Sequence, residues 1–406
     1  MKNEKTYLGF AQVDITPEQS VQTIGFNRED NSSRGVLKGL LAQVCLLTQA
    51  GEKEQRFCLL TVDHIGFSKE HAEELRERIG TYLGIGIESV MICFSHTHSA
   101  PNESMEPEYF QFLCRQVMKG VETAEKGKIP VLAAWGTADG EIGVNRRNGG
   151  EIDRRIGILK FVSAKSGEPV LTVLRVTAHA NVLKRDNYMI SPDYFGTVRD
   201  WMEKRYGGFC MVTQGASGNV APKYFCSKET PVDADDPERF IRSQTALNDM
   251  AEEVGQAVES VWSSMTPADS RFLQMKSVFF DLYADVPDIK RAAEIAEEAK
   301  REAGIDGKEW LLEVERLRKK GICVQKERIE IQYLALNEGC LCGVPNEIMC
   351  EFALRAQAMK DVMFYLSGYT NLRKAAARII MIMRGNARDI PEDEEFKEVL
   401  YRQGWE

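Results

Sequence analysis

The run Ile92-Cys93-Phe94-Ser95-His96-Thr97-His98-Ser99-Ala100-Pro101 holds two of the chain's five histidines, one residue apart. Imidazole nitrogens ligate divalent cations and move protons near neutral pH. The apolar stretch Val90 to Phe94 leads into the pair, and Pro101 breaks the segment. Side chains alternate along a strand, so the spacing predicts that His96 and His98 share one face. It places two imidazoles at the C-terminal end of a buried strand, a common place for an α/β enzyme to keep its chemistry. The plainer alternative is a pair of histidines that caps a sheet edge.

Other predicted strand ends carry the same kinds of residue. His179, in Ala178-His179-Ala180-Asn181, follows the strand-like run Pro169 to Thr177. Asp63-His64 follows Phe57 to Val62, and Glu347 follows Cys340 to Gly343 through Val344-Pro345-Asn346. A hydrolytic zinc site takes about three His or carboxylate ligands and keeps one position for water. Four of the five histidines stand at predicted strand ends. That clustering favours a mononuclear site over His64 and His179 as satisfied core histidines and Glu347 as a helix-start carboxylate. Asp63 and His64 are either ligands or supports that orient them. The donor types leave manganese and iron open beside zinc.

Rival chemistries fit less well. Gly215-Ala216-Ser217-Gly218 lacks the spacing of a nucleophile elbow. Neither glycine-rich phosphate loop is present. A barrel of eight strand–helix units cannot be counted along the chain. The ten cysteines are scattered, mostly inside apolar runs, and Cys340-Leu341-Cys342 lacks zinc-knuckle spacing. They read as free thiols in a reducing cytoplasm.

The elements that position these residues alternate in kind. Strands are predicted over Gly9 to Asp14, Leu40 to Thr48 and Phe57 to Val62. An amphipathic helix over Lys69 to Gly80 precedes the His-x-His strand, and another over Glu108 to Glu125 follows it. Strands at Val131 to Thr137, Gly157 to Ser163 and Pro169 to Thr177 come next, then a helix from Asp193 to Tyr206. The short strand Phe209 to Thr213 runs into Gln214 to Pro222, whose small residues let backbone approach closely. A long helix over Arg239 to Val261 and strands at Phe272 to Ala284 and Arg328 to Leu336 complete the series. The charged stretch Asp288 to Lys320 reads as a surface helical hairpin, and Glu347 to Met359 as a helix. This is an α/β pattern of mixed β-sheets flanked by helices. It predicts one domain over 1–406 with a helical insertion at about 285–322. No internal repeat is visible.

A formal charge of −9 argues against nucleic acid or an anionic membrane surface as partner. No run approaches the length of a membrane span. The N-terminus lacks an apolar signal core, so the expected location is cytoplasmic.

Taken in order, these motifs resemble the neutral/alkaline ceramidase family. Gly9-Phe10-Ala11-Gln12-Val13-Asp14-Ile15-Thr16-Pro17 resembles its opening strand, and Ser95-His96-Thr97-His98-Ser99-Ala100-Pro101 its Thr-His-Thr-His-Ser-Gly-Pro. Asn145-Arg146 resembles its Asn-Arg-Ser-Pro, and Val344-Pro345-Asn346-Glu347 its Leu-Pro-Gly-Glu. The likeness spans roughly residues 7 to 371, with gaps. It implies a ceramidase-like catalytic domain, here without the family's C-terminal immunoglobulin-like domain, that hydrolyses an amide with one zinc. By match, His96, His179 and Glu347 would hold the zinc, with Tyr369 as the family's fourth ligand. His98 would lie beside the metal and assist proton transfer, and Arg146 would orient the substrate carbonyl or a developing oxyanion. Asp63, His64, Asn145, Gln214 and Asn219 would support the ligands or line the substrate.

The sequence also departs from that pattern. The family's Gly-Asp-Val-Ser-Pro-Asn is Gly218-Asn219-Val220-Ala221-Pro222-Lys223 here, so the family serine is missing. The Tyr-rich segment expected after Tyr369 is replaced by Lys374-Ala375-Ala376-Ala377-Arg378. The expectation is therefore a zinc-dependent hydrolase of a small, non-peptide amide such as an N-acyl compound, rather than of ceramide. Its rival is a non-catalytic relative that binds a ligand or a structural metal.

Overall fold

The computed structural model describes residues 5–358 except 27, 29, 52–53, 147–149, 225–236, 271, 304–305 and 346. The first part of the chain forms β1 (Thr6–Asp14), β2 (Leu41–Gln49), β3 (Gln55–Val62), α1 (Lys69–Leu83), β4 (Val90–Phe94) and α2 (Pro107–Lys126). Next come β5 (Ile129–Asp139), β6 (Gly143–Asn145), β7 (Arg155–Ser163), β8 (Pro169–Val176), α3 (Tyr194–Tyr206), β9 (Phe209–Gln214), β10 (Val220–Pro222) and α4 (Pro237–Trp262). The remainder is β11 (Leu273–Asp285), α5 (Ile289–Ala303), α6 (Lys308–Lys319), β12 (Val324–Leu336), β13 (Gly339–Gly343) and α7 (Cys350–Ala358).

Eight strands form one mixed sheet in the order β4-β3-β2-β1-β5-β7-β8-β9. Only β3–β4 and β8–β9 are parallel, bridged by the crossover helices α1 and α3. The central strands β1 and β5 pair through just Tyr7↔Pro130 and Leu8↔Ile129. The sheet is thus two four-stranded halves joined at a corner, each with a parallel pair at its outer edge.

Alternation along each strand feeds two cores. In β2, Ala42, Val44 and Leu46 face the helices α1 and α2, while Cys45 and Leu47 face the other way. The second face gathers Phe57, Leu59 and Met91 from one half with Phe161, Val173 and Met211 from the other. The halves therefore fold over a shared core, closed by Leu273, Leu334 and Leu336 of the small sheet β11-β12-β13. Burying each such side chain contributes about 2 kcal/mol. Polar bonds stitch the two halves together: Gln43 donates to the Cys210 carbonyl (2.8 Å) and Gln214 to the Ser95 carbonyl (3.4 Å).

α2 buries Tyr109, Phe110, Leu113, Cys114, Val117 and Val121, a stripe at helical spacing. The charged stretch between β11 and β12 forms α5 and α6, whose Ala292, Val314 and Leu317 pack together with Val286 from the segment before α5. Among the described residues, no helix is long and apolar enough to cross a membrane.

Two local expectations change. The strand ends at Phe94, and His96 adopts φ 62°. The two histidines therefore converge through a turned loop, not through strand alternation. α7 begins at Cys350, so Glu347 lies in the segment before the helix. The short pair β6–β10, with Val220 opposite Asn145, has no clear strand signal in the sequence.

Candidate metal centre

The C-terminal ends of β3, β4, β8 and β9 meet where the two far edges of the sheet come together. His96 and His98 follow β4, and His179 follows β8. Their ring centroids lie 4.9 to 5.6 Å apart. One donor nitrogen from each falls within 4.8 Å of the others.

Each ring is held by its Nδ1. His96 Nδ1 meets the Ile65 carbonyl at 2.6 Å, His98 Nδ1 the Gly25 carbonyl at 2.8 Å, and His179 Nδ1 the Ser217 carbonyl at 2.8 Å. A carbonyl only accepts, so each Nδ1 carries the proton and each neutral ring keeps a lone pair on Nε2. The buried Nε2 atoms of His96 and His98 make no hydrogen bond. Burial first, then the neighbouring His96 and His179, pull the His98 pKa down to about 3. That ring stays neutral across physiological pH.

Glu347 completes the constellation. Its Oε1 lies 3.1 Å from His96 Nε2 and its Oε2 3.4 Å from His179 Nε2. With a proton on Nε2 of His179 and His96, hydrogen bonds from both rings would hold its carboxyl well below the usual carboxylate range. In the neutral tautomers, nitrogen lone pairs would face carboxylate lone pairs at these distances. That arrangement repels unless positive charge lies between them. Two donors sharing a tetrahedral zinc stand about 3.4 Å apart, given Zn–N near 2.0 to 2.1 Å. The donor set, its spacing and the pinned tautomers all fit a divalent cation, with the carbonyls fixing ring orientation.

The other expected residues surround this cluster. Asp63 is buried in a bidentate pair with Arg199 (2.9 and 2.6 Å) and accepts the Leu41 N–H, so it braces the seam between the halves. His64 is fully buried and accepts the Gly66 N–H on Nδ1 (3.1 Å). Its Nε2 lies 3.8 Å from Glu103, and its carbonyl takes the His96 N–H (2.9 Å). It supports His96 through the backbone. Gln214 bridges to Ser95. Asn145 donates to the Glu151 carbonyl (2.9 Å). Arg146 is exposed and donates to the Gly218 carbonyl (2.8 Å), placing its guanidinium against the loop that carries Ser217. Asn219 is fully buried and binds the start of α7. Tyr369 lies outside the described residues.

Several supporting groups escaped the sequence reading. The Ile65, Gly25 and Ser217 carbonyls carry no side-chain signal. Gly25 does have one in principle: it sits at φ 110°, and a Cβ there would lie 2.7 Å from the His98 ring. Glu103, buried between His64 and His71, is a carboxylate in the short loop after the His-x-His run. Phe26 packs at 4.8 Å on His98 and is backed by Arg28, which donates to the Arg185 and Asn187 carbonyls.

Comparison with known proteins gives a fold. No protein-family model matches the sequence, and no curated protein matches it. The solved structure of neutral ceramidase from Pseudomonas aeruginosa is similar, with a TM-score of 0.65 at 16% identity over 89% of this chain. A ceramidase complexed with C2 is similar to the same degree, with a TM-score of 0.65 at 15% identity over 88% of this chain. The chain spans 65% and 66% of the lengths of those two structures. The fold is ceramidase-like: a large mixed sheet flanked by helices.

Proposed function

We propose that this protein is a metal-dependent hydrolase of a non-peptide amide, with one zinc per chain. The observation that carries the reading is the set of Nε2 lone pairs of His96, His98 and His179, each fixed by an Nδ1–carbonyl bond and converging beside Glu347. His96, His179 and Glu347 would hold the ion, since the Glu347 oxygens stand at ligand spacing from both rings. When bound, zinc supplies an ionised water near neutral pH and polarises a carbonyl. His98 keeps a free lone pair beside these ligands. Its Nε2 is placed to accept a proton and pass it to a departing amine nitrogen. Arg146, at the rim, is placed to steady the carbonyl oxygen of a substrate. The likeness to ceramidases supports the amide as the bond and an N-acyl compound as the substrate class.

The test is elemental analysis of protein purified without chelator, followed by a hydrolysis panel of short N-acyl amines, N-acyl amino acids and a ceramide. About one zinc per chain, with turnover lost on chelation and restored by zinc, is the expected result. Failure to retain or take up any divalent metal overturns the reading. Metal without turnover of any amide makes the protein a binding relative.

A further inference from the structure

The three histidines are built into the ends of the main sheet, but Glu347 is not. It lies on the segment between β13 and α7, and its side chain is 57% exposed. Four hydrogen bonds in or beside the turn Ser217-Gly218-Asn219 fasten that segment. The Gly218 N–H donates to the Ile348 carbonyl (2.9 Å). The Cys350 N–H donates to Asn219 Oδ1 (2.9 Å). Asn219 Nδ2 donates to both Glu351 oxygens (2.9 Å each). This pattern fixes the amide orientation, because Oδ1 must accept and Nδ2 must donate. The same turn holds His179 through the Ser217 carbonyl.

We infer that Asn219 and Glu351 form a latch that sets the reach of Glu347, making Asn219 a positioning residue for the carboxylate ligand. This rests on the metal-centre reading above. Asn219 is fully buried, touches none of the three histidine rings in a hydrogen bond, and directs its amide to the first residues of α7, with one longer bond from Nδ2 to Asn145 Oδ1 (3.5 Å). An aspartate in its place would keep the Cys350 bond but face the Glu351 carboxylate without a proton to share. Two like charges at hydrogen-bond distance push apart. The site then becomes two-tiered: a permanent set of imidazoles, and a carboxylate present only when the latch is closed.

The experiment is competitive zinc titration against a chromophoric chelator, with the cobalt(II) absorption spectrum as a second readout. It uses the full chain and four variants: N219D, E347Q, N219D/E347Q and N219D/E351Q. Loss of an outer partner costs about 10- to 100-fold in metal affinity, which is the fall expected for N219D. N219D/E347Q should bind no more weakly than E347Q alone, because both changes remove the same ligand. N219D/E351Q should recover affinity, since the amide introduced on α7 can donate to the carboxylate introduced in the turn. The cobalt spectra of N219D and E347Q should coincide. Wild-type affinity in N219D, or effects that add in the double variant, overturns the latch alone. A wild type that takes up no metal overturns both the latch and the metal reading. A misfolded N219D that N219D/E351Q does not restore assigns Asn219 a purely structural role.

Discussion

The two halves of the main sheet share one topology and carry different chemistry. β1-β2-β3-α1-β4-α2 and β5-β7-β8-α3-β9-α4 run in the same order, with β1 and β5 meeting at the corner. The last parallel pairs, Val62↔Phe94 and Val176↔Gln214, bring the two into register. Counting on from them, His98 of the first half falls at the position of Gly218 in the second, and His64 at that of Ala178. The first half presents two imidazoles after its edge strand. The second presents His179 after its inner parallel strand and only backbone and Asn219 after its edge strand. The frame repeats, yet the donors do not. The shared topology brings strand ends together, and the loops alone decide what they hold.

The largest effect should come from removing one donor from either half. His96→Ala and His179→Ala should each drop the metal content from about one per chain to background by elemental analysis. His64→Ala, at the first half's inner strand, should leave that content unchanged while lowering stability. If His64→Ala also empties the site, the division between donor and support is wrong. Next in size is the seam. Asp63 and Arg199 are both buried and tie β3 to α3 across the halves. Asp63→Asn leaves the guanidinium without its counter-charge and should cost about 3 to 5 kcal/mol in denaturant unfolding. A cost under ~1 kcal/mol would mean that the halves are held by the apolar core alone.

Much of this frame was legible in the sequence, because alternation and helical spacing are local. The two faces of β2, with Val44 and Leu46 on one and Cys45 and Leu47 on the other, follow directly from residue order. The repeat was not legible, since the halves share topology without shared residues. His96 entering at φ 62° was also hidden, because no residue type announces that turn. The histidines stood out by type and spacing. The carbonyls that choose their tautomers could not, as every residue has one. Glu347 was readable as a carboxylate near a helix start, but its support came from Asn219, more than a hundred residues earlier.

A further contrast concerns the helix starts after the inner strands. α1 is capped by Ser68, whereas α3 is capped by Asp193 at φ 56°. Asp193 is buried and accepts the Val182, Leu183 and Tyr194 N–H groups, which anchors the loop after His179. Burial nevertheless pushes its carboxyl up from 3.8 to about 6. Between those values the folded state keeps a proton that the unfolded state has released. Stability contributed by this group therefore falls as pH rises through the window, by on the order of 3 kcal/mol, and is level above it. Asp193→Asn should remove that slope, so the difference between the wild-type and variant stabilities measured from pH 4 to 7 should carry it. An unchanged slope would place the titration elsewhere.

The smallest expected effect probes the position where the halves differ most simply. His98 fills its loop with a ring, while Gly218 has no side chain and lets the 347–348 backbone come close. A Cβ on Gly218 would lie 2.6 Å from the Glu347 carbonyl oxygen and 3.0 Å from that of Ile348. Both atoms are backbone, so the segment must move rather than a side chain rotate. Gly218→Ala should shift Glu347 away from the rings and weaken metal binding about tenfold, or ~1.4 kcal/mol. Gly157→Ala is the control, because a Cβ there meets only ordinary contacts at 3.5 Å on Arg175. Equal affinities for both variants would show that the segment adjusts freely and that Glu347 reaches the histidines without help from the turn. A loss confined to Gly218→Ala, at unchanged thermal stability, would tie the missing side chain of the second half to the carboxylate it admits.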